Sequence, residues 1–350
     1  MPDISDIDAK LEFLQGAEAY GDKQQSPECI ETHMSWVFLV GDQVFKLKKS
    51  VRFSYLDFTT LKAREFYCRE ELRLNARLAP GVYLGLIALV KCSGRFALLP
   101  ESDLTIDVEI IDWLVLMRRL PASRMLHRLI SDSCISHQDI DALVNVLCRF
   151  YQQANQVHLS SNEFSMRYHR SILVISDVLL LPQFQLQLPD AAIAIDKLGT
   201  IFTQAVALLQ YRASHQHVLE GHGDLRPEHV CLMPSPLVID CIEFDPQLRE
   251  VDPFDEISFL SLECEMAGAS WIGPYFMSAC MNTLNDRPSQ ALLHFYTAHK
   301  AMLRARFSIA HLLDTHPRAP EKWPMLAQRY IARALVAIDD FSAATLRDLT

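Results

Sequence analysis

This 350-residue sequence has no CxxC pair, no run of about 18 apolar residues and no G-x-x-x-x-G-K-[ST] phosphate loop. Its nine cysteines are odd in number and scattered, which argues against a disulfide framework or a zinc ribbon and fits reduced, cytosolic thiols. The first residues, Met1-Pro2-Asp3-Ile4-Ser5-Asp6, have neither the positive flank nor the apolar stretch of a secretory signal. The longest greasy stretch, Ile172 to Leu181, is interrupted by Ser176 and Asp177 and reads as a buried helix or strand. The expectation is a cytoplasmic chain without a membrane partner. Basic residues are the minority, 33 against 43 acidic ones for a formal net charge of -10. A nucleic-acid partner is therefore not expected, because phosphate contacts need clustered Lys and Arg. No H-E-x-x-H and no G-x-S-x-G occur, so neither a metalloprotease nor that kind of hydrolase is supported.

Half of the residues are hydrophobic and 22% are charged, the make-up of a globular protein rather than a disordered one. At this length one large bilobal unit or two domains is the prior. Trp36-Val37-Phe38-Leu39-Val40 and Val44-Phe45-Lys46-Leu47 flank Gly41-Asp42-Gln43 and read as a strand pair joined by a tight turn. From Thr60 to Leu78 the pattern turns helical and stops at Ala79-Pro80-Gly81. Two more strands, Val82 to Val90 and Phe96 to Leu99, are separated by Ser93-Gly94. An apolar run from Asp112 ends at Leu120-Pro121, and beyond it helices dominate. Ile140, Leu143, Val144, Leu147, Phe150 and Tyr151 trace one apolar helix face. A strand-rich part over residues 1–118 and a larger helical part over 119–350 are the expected domains.

One segment stands apart: Gly221-His222-Gly223-Asp224-Leu225-Arg226-Pro227-Glu228-His229, then Leu237-Val238-Ile239-Asp240 and Asp252-Pro253-Phe254-Asp255. Each Asp alone is explained by a helix cap or a turn. Together, Asp224 beside one short apolar strand and Asp240 at the end of another suggest carboxylates that share a cation, since unpaired buried carboxylates are costly. That pairing suits phosphoryl transfer, in which one Asp serves an acceptor hydroxyl and another holds a metal against phosphates.

These residues resemble the H-G-D-x-x-x-x-N loop and the following I-D strand end of the aminoglycoside-phosphotransferase branch of the protein-kinase-like fold. The blocks Glu31 to Leu39, Tyr55 to Leu61 and Glu70 to Pro80 look like a bacterial subgroup of that branch whose substrates are largely unassigned. The resemblance spans roughly residues 28–310. It implies an α+β, bilobal fold with a small antiparallel-sheet N-lobe that binds nucleotide and a larger helical C-lobe. It also implies transfer of the γ-phosphate of ATP or GTP, with Mg²⁺ or Mn²⁺, to a small-molecule hydroxyl. By position, Asp224 matches the catalytic-loop Asp, Asp240 the metal-binding Asp, and Asp255 a carboxylate that braces the catalytic loop. His222 is expected to pack against that loop or hydrogen-bond it. His229 stands where the family carries a second metal ligand, Asn. Hard Mg²⁺ prefers oxygen, so three possibilities stand open: His229 binds a softer ion such as Mn²⁺, Glu243 or Asp245 supplies the oxygen, or metal binding is weakened.

Kinase-like folds place a Lys on the third strand to pair with the nucleotide phosphates, held by a helix Glu. Lys46 and Lys48 share a strand face by the period of two, Lys46 fitting better and Lys48 standing in reserve. Counting back from Leu78 favours Glu71 over Glu70 as the partner. No glycine-rich loop precedes Lys46, and Thr32, His33 and Ser35 occupy its place, with the hydroxyls of Thr32 and Ser35 as phosphate contacts. Adenine would be read by backbone groups around Leu116 to Arg118. Residues 240–265 carry nine acids against the single base Arg249, a field that suits a cationic acceptor such as an aminated sugar or a choline-like molecule. Two alternatives stay open: a nucleotide-binding, catalytically weak regulatory module and a protein kinase. The absence of a D-F-G to A-P-E activation loop counts against the latter.

Overall fold

A computed structural model of the chain describes residues 4–21, 26–53, 56–106, 108–315 and 317–348. Met1, Pro2 and Asp3 at the N-terminus and Tyr55 of the Tyr55 to Leu61 block lie outside them. The chain divides into two compact units, one of Met1–Leu129 with Glu228–Leu248, the other of Ile130–Pro227 with Arg249–Thr350.

The first unit is built on six antiparallel strands: β1 (Glu28–Glu31), β2 (Ser35–Val40), β3 (Gln43–Lys48), β6 (Tyr83–Cys92), β7 (Arg95–Pro100) and β8 (Glu109–Arg118), in the order β1-β2-β3-β8-β6-β7. Between β3 and β6 come a small ribbon of β4 (Arg52–Phe53) with β5 (Leu56–Asp57) and the helix α2 (Leu61–Asn75). The hairpin turns fall where expected. Ser93 and Gly94 join β6 to β7 with both φ angles positive, at 49° and 79°, the backbone that matches the strands' right-handed twist. Thr60 caps α2 by accepting from the Ala63 N–H at 3.1 Å.

The period of two on β6 and β8 sorts side chains between two faces. Ile87, Leu89 and Leu114 pack with Phe38, Phe45 and Leu47 and with Leu14 of helix α1 (Ile4–Gln15). Leu86, Ala88, Val90, Trp113 and Val115 pack with Cys68 of α2. Phe45 and Leu47 face the first cluster, so alternation turns Lys46 and Lys48 toward α2.

The first unit reaches beyond the expected boundary at residue 118 and takes back residues 228–248. The physical cause is a hairpin of β10 (Val230–Cys231) and β11 (Leu237–Val238). The Val238 N–H bonds the Leu78 carbonyl at 3.1 Å, the Leu232 N–H bonds the Arg124 carbonyl at 2.8 Å, and Ala79, Val82, Cys231 and Leu237 form one apolar cluster.

The second unit is helical. Its helices are α4 (His137–Gln153), α5 (Ser161–Leu179), α6 (Ala191–Ser214), α7 (Pro253–Met266), α8 (Ile272–Leu284), α9 (Gln290–Ala310) and α10 (Lys322–Asp348), while α3 (Leu126–Ser131) bridges the chain between the units. The α4 face of Ile140, Leu143, Val144, Leu147, Phe150 and Tyr151 is buried as its spacing indicates. Among the described residues, α6 is long and apolar enough to cross a membrane. It also carries Arg212, buried and ion-paired to Asp252 at 2.6 Å and to Asp286 at 2.7 Å.

His299 on α9 is buried, bonded to Ser171 Oγ at 2.8 Å, and burial pushes its pKa from 6.5 down to about 3. A depressed imidazole pKa stabilises the fold above pH 6.5, and that contribution is lost as pH falls toward 3. The linkage amounts to about 3 kcal/mol between pH 7 and pH 4. His299→Gln is expected to remove this component. Urea unfolding at the two pH values measures it, and an equal loss in wild type and variant would show that His299 is not the group responsible.

Candidate active site

The alternation of β3 brings both lysines to one carboxylate. Glu71 lies on the buried face of α2 with Arg64, Cys68 and Asn75 and is fully buried. One of its oxygens accepts from Lys46 Nζ at 2.8 Å and the other from Lys48 Nζ at 2.6 Å. Glu70 instead pairs with Arg73 at the surface, at 2.8 Å. Burial alone would raise the Glu71 pKa, and the two lysines outweigh it and hold it low. Lys46 also reaches Asp240 Oδ1 at 2.9 Å. Burial opposes its charge, yet Asp240, Glu71 and Glu243 hold its pKa well above the usual ammonium value.

Asp240 is held in the left-handed region at φ 64°, a conformation that a non-glycine residue keeps only when its surroundings fix it. The fixing groups can be named. Its N–H donates to the Tyr83 hydroxyl at 3.1 Å, the next N–H, of Cys241, donates to Asn75 Oδ1 at 2.9 Å, and the Ile239 N–H bonds the His229 carbonyl at 2.9 Å. The Asp240 side chain remains about half exposed at 48%. Its Oδ2 lies 3.5 Å from Nε2 of His229, whose side chain is only 9% exposed. Two donors on one ion with bonds of about 2.2 Å sit roughly 3 Å apart, so this carboxylate–imidazole pair fits a divalent cation. The mixed oxygen–nitrogen set suits Mn²⁺ better than Mg²⁺. Glu243 is engaged elsewhere: its carboxylate is bonded by Lys48, and burial raises its pKa.

Thr32 and Ser35 form the turn between β1 and β2. Thr32 Oγ1 accepts from the Ser35 N–H and donates to its carbonyl, both at 2.9 Å, and Ser35 is buried. The Thr32 hydroxyl is thus spent inside its own turn. Near the end of β8 the Arg118 N–H goes to the Val82 carbonyl at 2.8 Å, which removes one candidate donor to adenine.

Asp224 belongs to the second unit. Its carboxylate meets Arg226 at 2.9 Å, and its N–H points to Nδ1 of the fully buried His222 at 3.3 Å. The loop is braced by Glu256 rather than Asp255. Glu256 accepts from the His222 N–H at 2.8 Å, from the Gly223 N–H, and from the Tyr151 hydroxyl at 3.0 Å, while Asp255 pairs with Lys300 at 2.7 Å. Gly221 is required by close approach, since a Cβ there would lie 2.6 Å from Val251 Cγ2 and 2.7 Å from Glu256 Oε2. The hydrogen-bonding roles of Tyr83, Asn75, Tyr151 and Glu256 escaped the sequence reading because no motif marks them.

The acidic run does not form an open field. Within the second unit Glu250 pairs with Arg167, Asp252 with Arg212, Asp255 with Lys300, Glu263 with Arg304 and Glu265 with Arg333, at 2.6 to 3.1 Å. The neutralising bases come from distant positions, so the argument for a cationic acceptor loses its basis.

A choline/ethanolamine kinase family protein from Mesorhizobium loti superposes over 97% of this chain and 98% of its own, with a TM-score of 0.54 at 13% identity. The choline kinase of Cryptosporidium parvum Iowa II covers 97% of this chain and 96% of its own, with a TM-score of 0.52 at 10% identity. The chain has the protein-kinase-like fold. This is the fold implied by the resemblance to the aminoglycoside-phosphotransferase branch, with the six-stranded antiparallel sheet preceding the larger helical part. No family model matches this kinase-like chain. It is 27% identical over 333 residues to uncharacterized proteins of Mycobacterium tuberculosis and Mycobacterium bovis, a match covering 91% of this chain. The match spans about 60% of the length of these curated relatives.

Proposed function

We propose that this chain is a phosphotransferase that moves the γ-phosphate of ATP or GTP to a hydroxyl of a small molecule in the cytoplasm. The observation that carries this reading is the convergence of Lys46, Glu71 and Asp240, with Asp240 in a left-handed backbone and its carboxylate half exposed. Lys46, oriented by Glu71, is the phosphate ligand, and Asp240 with His229 holds the metal. A divalent ion there would supply charge neutralisation to the phosphates. Asp224 orients the acceptor hydroxyl and takes its proton. The acceptor oxygen bonds to the γ-phosphorus as the bond to the bridging oxygen breaks, and the nucleoside diphosphate leaves with that electron pair.

A second reading, a nucleotide-binding module with little turnover, draws on His229 in the place of an oxygen ligand. ATP calorimetry without metal, with Mg²⁺ and with Mn²⁺ tests both. Metal-dependent binding supports the phosphotransferase, metal-independent binding favours the module, and no binding removes the nucleotide from either reading. His229→Asn is expected to move the metal preference toward Mg²⁺ by about tenfold. An unchanged preference would make His229 a structural residue.

A further inference from the structure

A second lysine shares the candidate site, and nothing in the reaction just described uses it. Lys48 is 2% exposed, which excludes a solubilising role at a sheet edge. Its ammonium binds the Glu71 oxygen that Lys46 leaves, at 2.6 Å, binds Glu243 as well, and lies 5.1 Å above the Phe58 ring. Burying an ammonium in this way costs several kcal/mol of desolvation before its partners compensate. Lys48 completes the pairing of the buried Glu71 carboxylate, and it also engages a second carboxylate. That second carboxylate is Glu243, three residues beyond Asp240.

We propose that Lys48 is a positioning residue which, by holding Glu243, fixes the segment that carries Asp240 in its metal-binding geometry. The inference rests on the nucleotide-and-metal reading above. The segment is tied at successive points. The Asp240 N–H is held by Tyr83, the Cys241 N–H by Asn75, and the Glu243 carboxylate by Lys48. A left-handed Asp persists only where such ties over-determine it. Without Lys48, Glu243 is a carboxylate only 10% exposed that has lost its hydrogen-bonded cation, and the favourable response is to swing toward solvent and slacken the turn at Asp240. Lys46 and Lys48 thus divide the work around Glu71, one on the ligand side and one on the scaffold side.

The quantity to measure is the ratio of ATP affinity with Mn²⁺ to that without metal, by calorimetry, with thermal melts to confirm folding. Lys48→Met and Glu243→Gln are each expected to lower this ratio on the order of tenfold, the usual effect of removing a group that orients a metal ligand. The double variant should lose no more than either single one, because the two residues act as one tie. Lys48→Arg, which keeps the cation, should recover most of the ratio. A wild-type ratio retained in folded Lys48→Met, or losses that multiply in the double variant, would overturn the proposal. If Lys48→Met does not fold, Glu243→Gln decides alone by the same criterion. A wild type that binds no ATP with or without Mn²⁺ overturns the nucleotide reading and this inference with it.

Discussion

Asp240→Ala is expected to abolish the metal-dependent part of ATP binding, a loss on the order of 100-fold for the Mn²⁺ complex. Two physical effects combine. The carboxylate that pairs with His229 at 3.5 Å is gone, leaving one imidazole, too few donors to hold a divalent ion. Lys46 also loses its 2.9 Å partner, which makes its ammonium more available to phosphate. Metal-free ATP affinity should therefore hold or rise slightly while the metal-assisted gain disappears. Opposite movements of the two affinities are a sharper sign than weakened binding, which misfolding also produces. Calorimetry of the variant with and without Mn²⁺ reads both. Metal–ATP binding equal to wild type would remove Asp240 from the metal site.

Asp224→Asn is expected to lower turnover by about 10²- to 10⁴-fold, the usual contribution of a positioned general base. Asn keeps the shape of the side chain and an oxygen for Arg226, which lies 2.9 Å away, but it cannot accept the hydroxyl proton. The change should fall on kcat, with nucleotide affinity altered less than about threefold, because the removed interaction belongs to the transition state. ADP release across a panel of small-molecule hydroxyl acceptors, compared between wild type and variant, provides the measurement. Turnover within about tenfold of wild type would assign the base to another group. Together the two substitutions separate the proposed roles, one acting on metal binding and the other on proton transfer.

Some parts of the molecule follow from local chemistry, and these were legible in the sequence. The tight turn after Val40 and the Ser93-Gly94 turn define the hairpins β2–β3 and β6–β7, and the spacing from Ile140 to Tyr151 defines the buried face of α4. Alternation also puts Lys46 and Lys48 on one strand face, and the helix pattern places Glu71 rather than Glu70 toward the interior. The H-G-D motif and the I-D strand end mark Asp224 and Asp240 because their spacing along the chain is short and fixed.

Other features depend on partners far away in the chain, and only the tertiary structure decided them. Nine acids in residues 240–265 read as an open field, yet Arg167, Arg212, Lys300, Arg304 and Arg333 neutralise five of them. The brace on the loop of His222, Gly223 and Asp224 fell to Glu256 instead of Asp255 because helix phase on α7 turns Glu256 toward the His222 and Gly223 N–H groups. The turn hydroxyl of Thr32 was free to be a phosphate contact until the hairpin closed on it. The boundary at residue 118 gave way because β10 and β11 return to pair with backbone near Leu78 and Arg124. The sequence by itself determined which residues alternate, which turn and which carry charge, since those properties depend on neighbours within a few positions. Which charges meet, and hence that Lys48 takes Glu243 while Lys46 takes Asp240, was decided by the fold, because ion pairing depends on distance in space and these partners lie nearly 200 residues apart, at separations of 195 and 194.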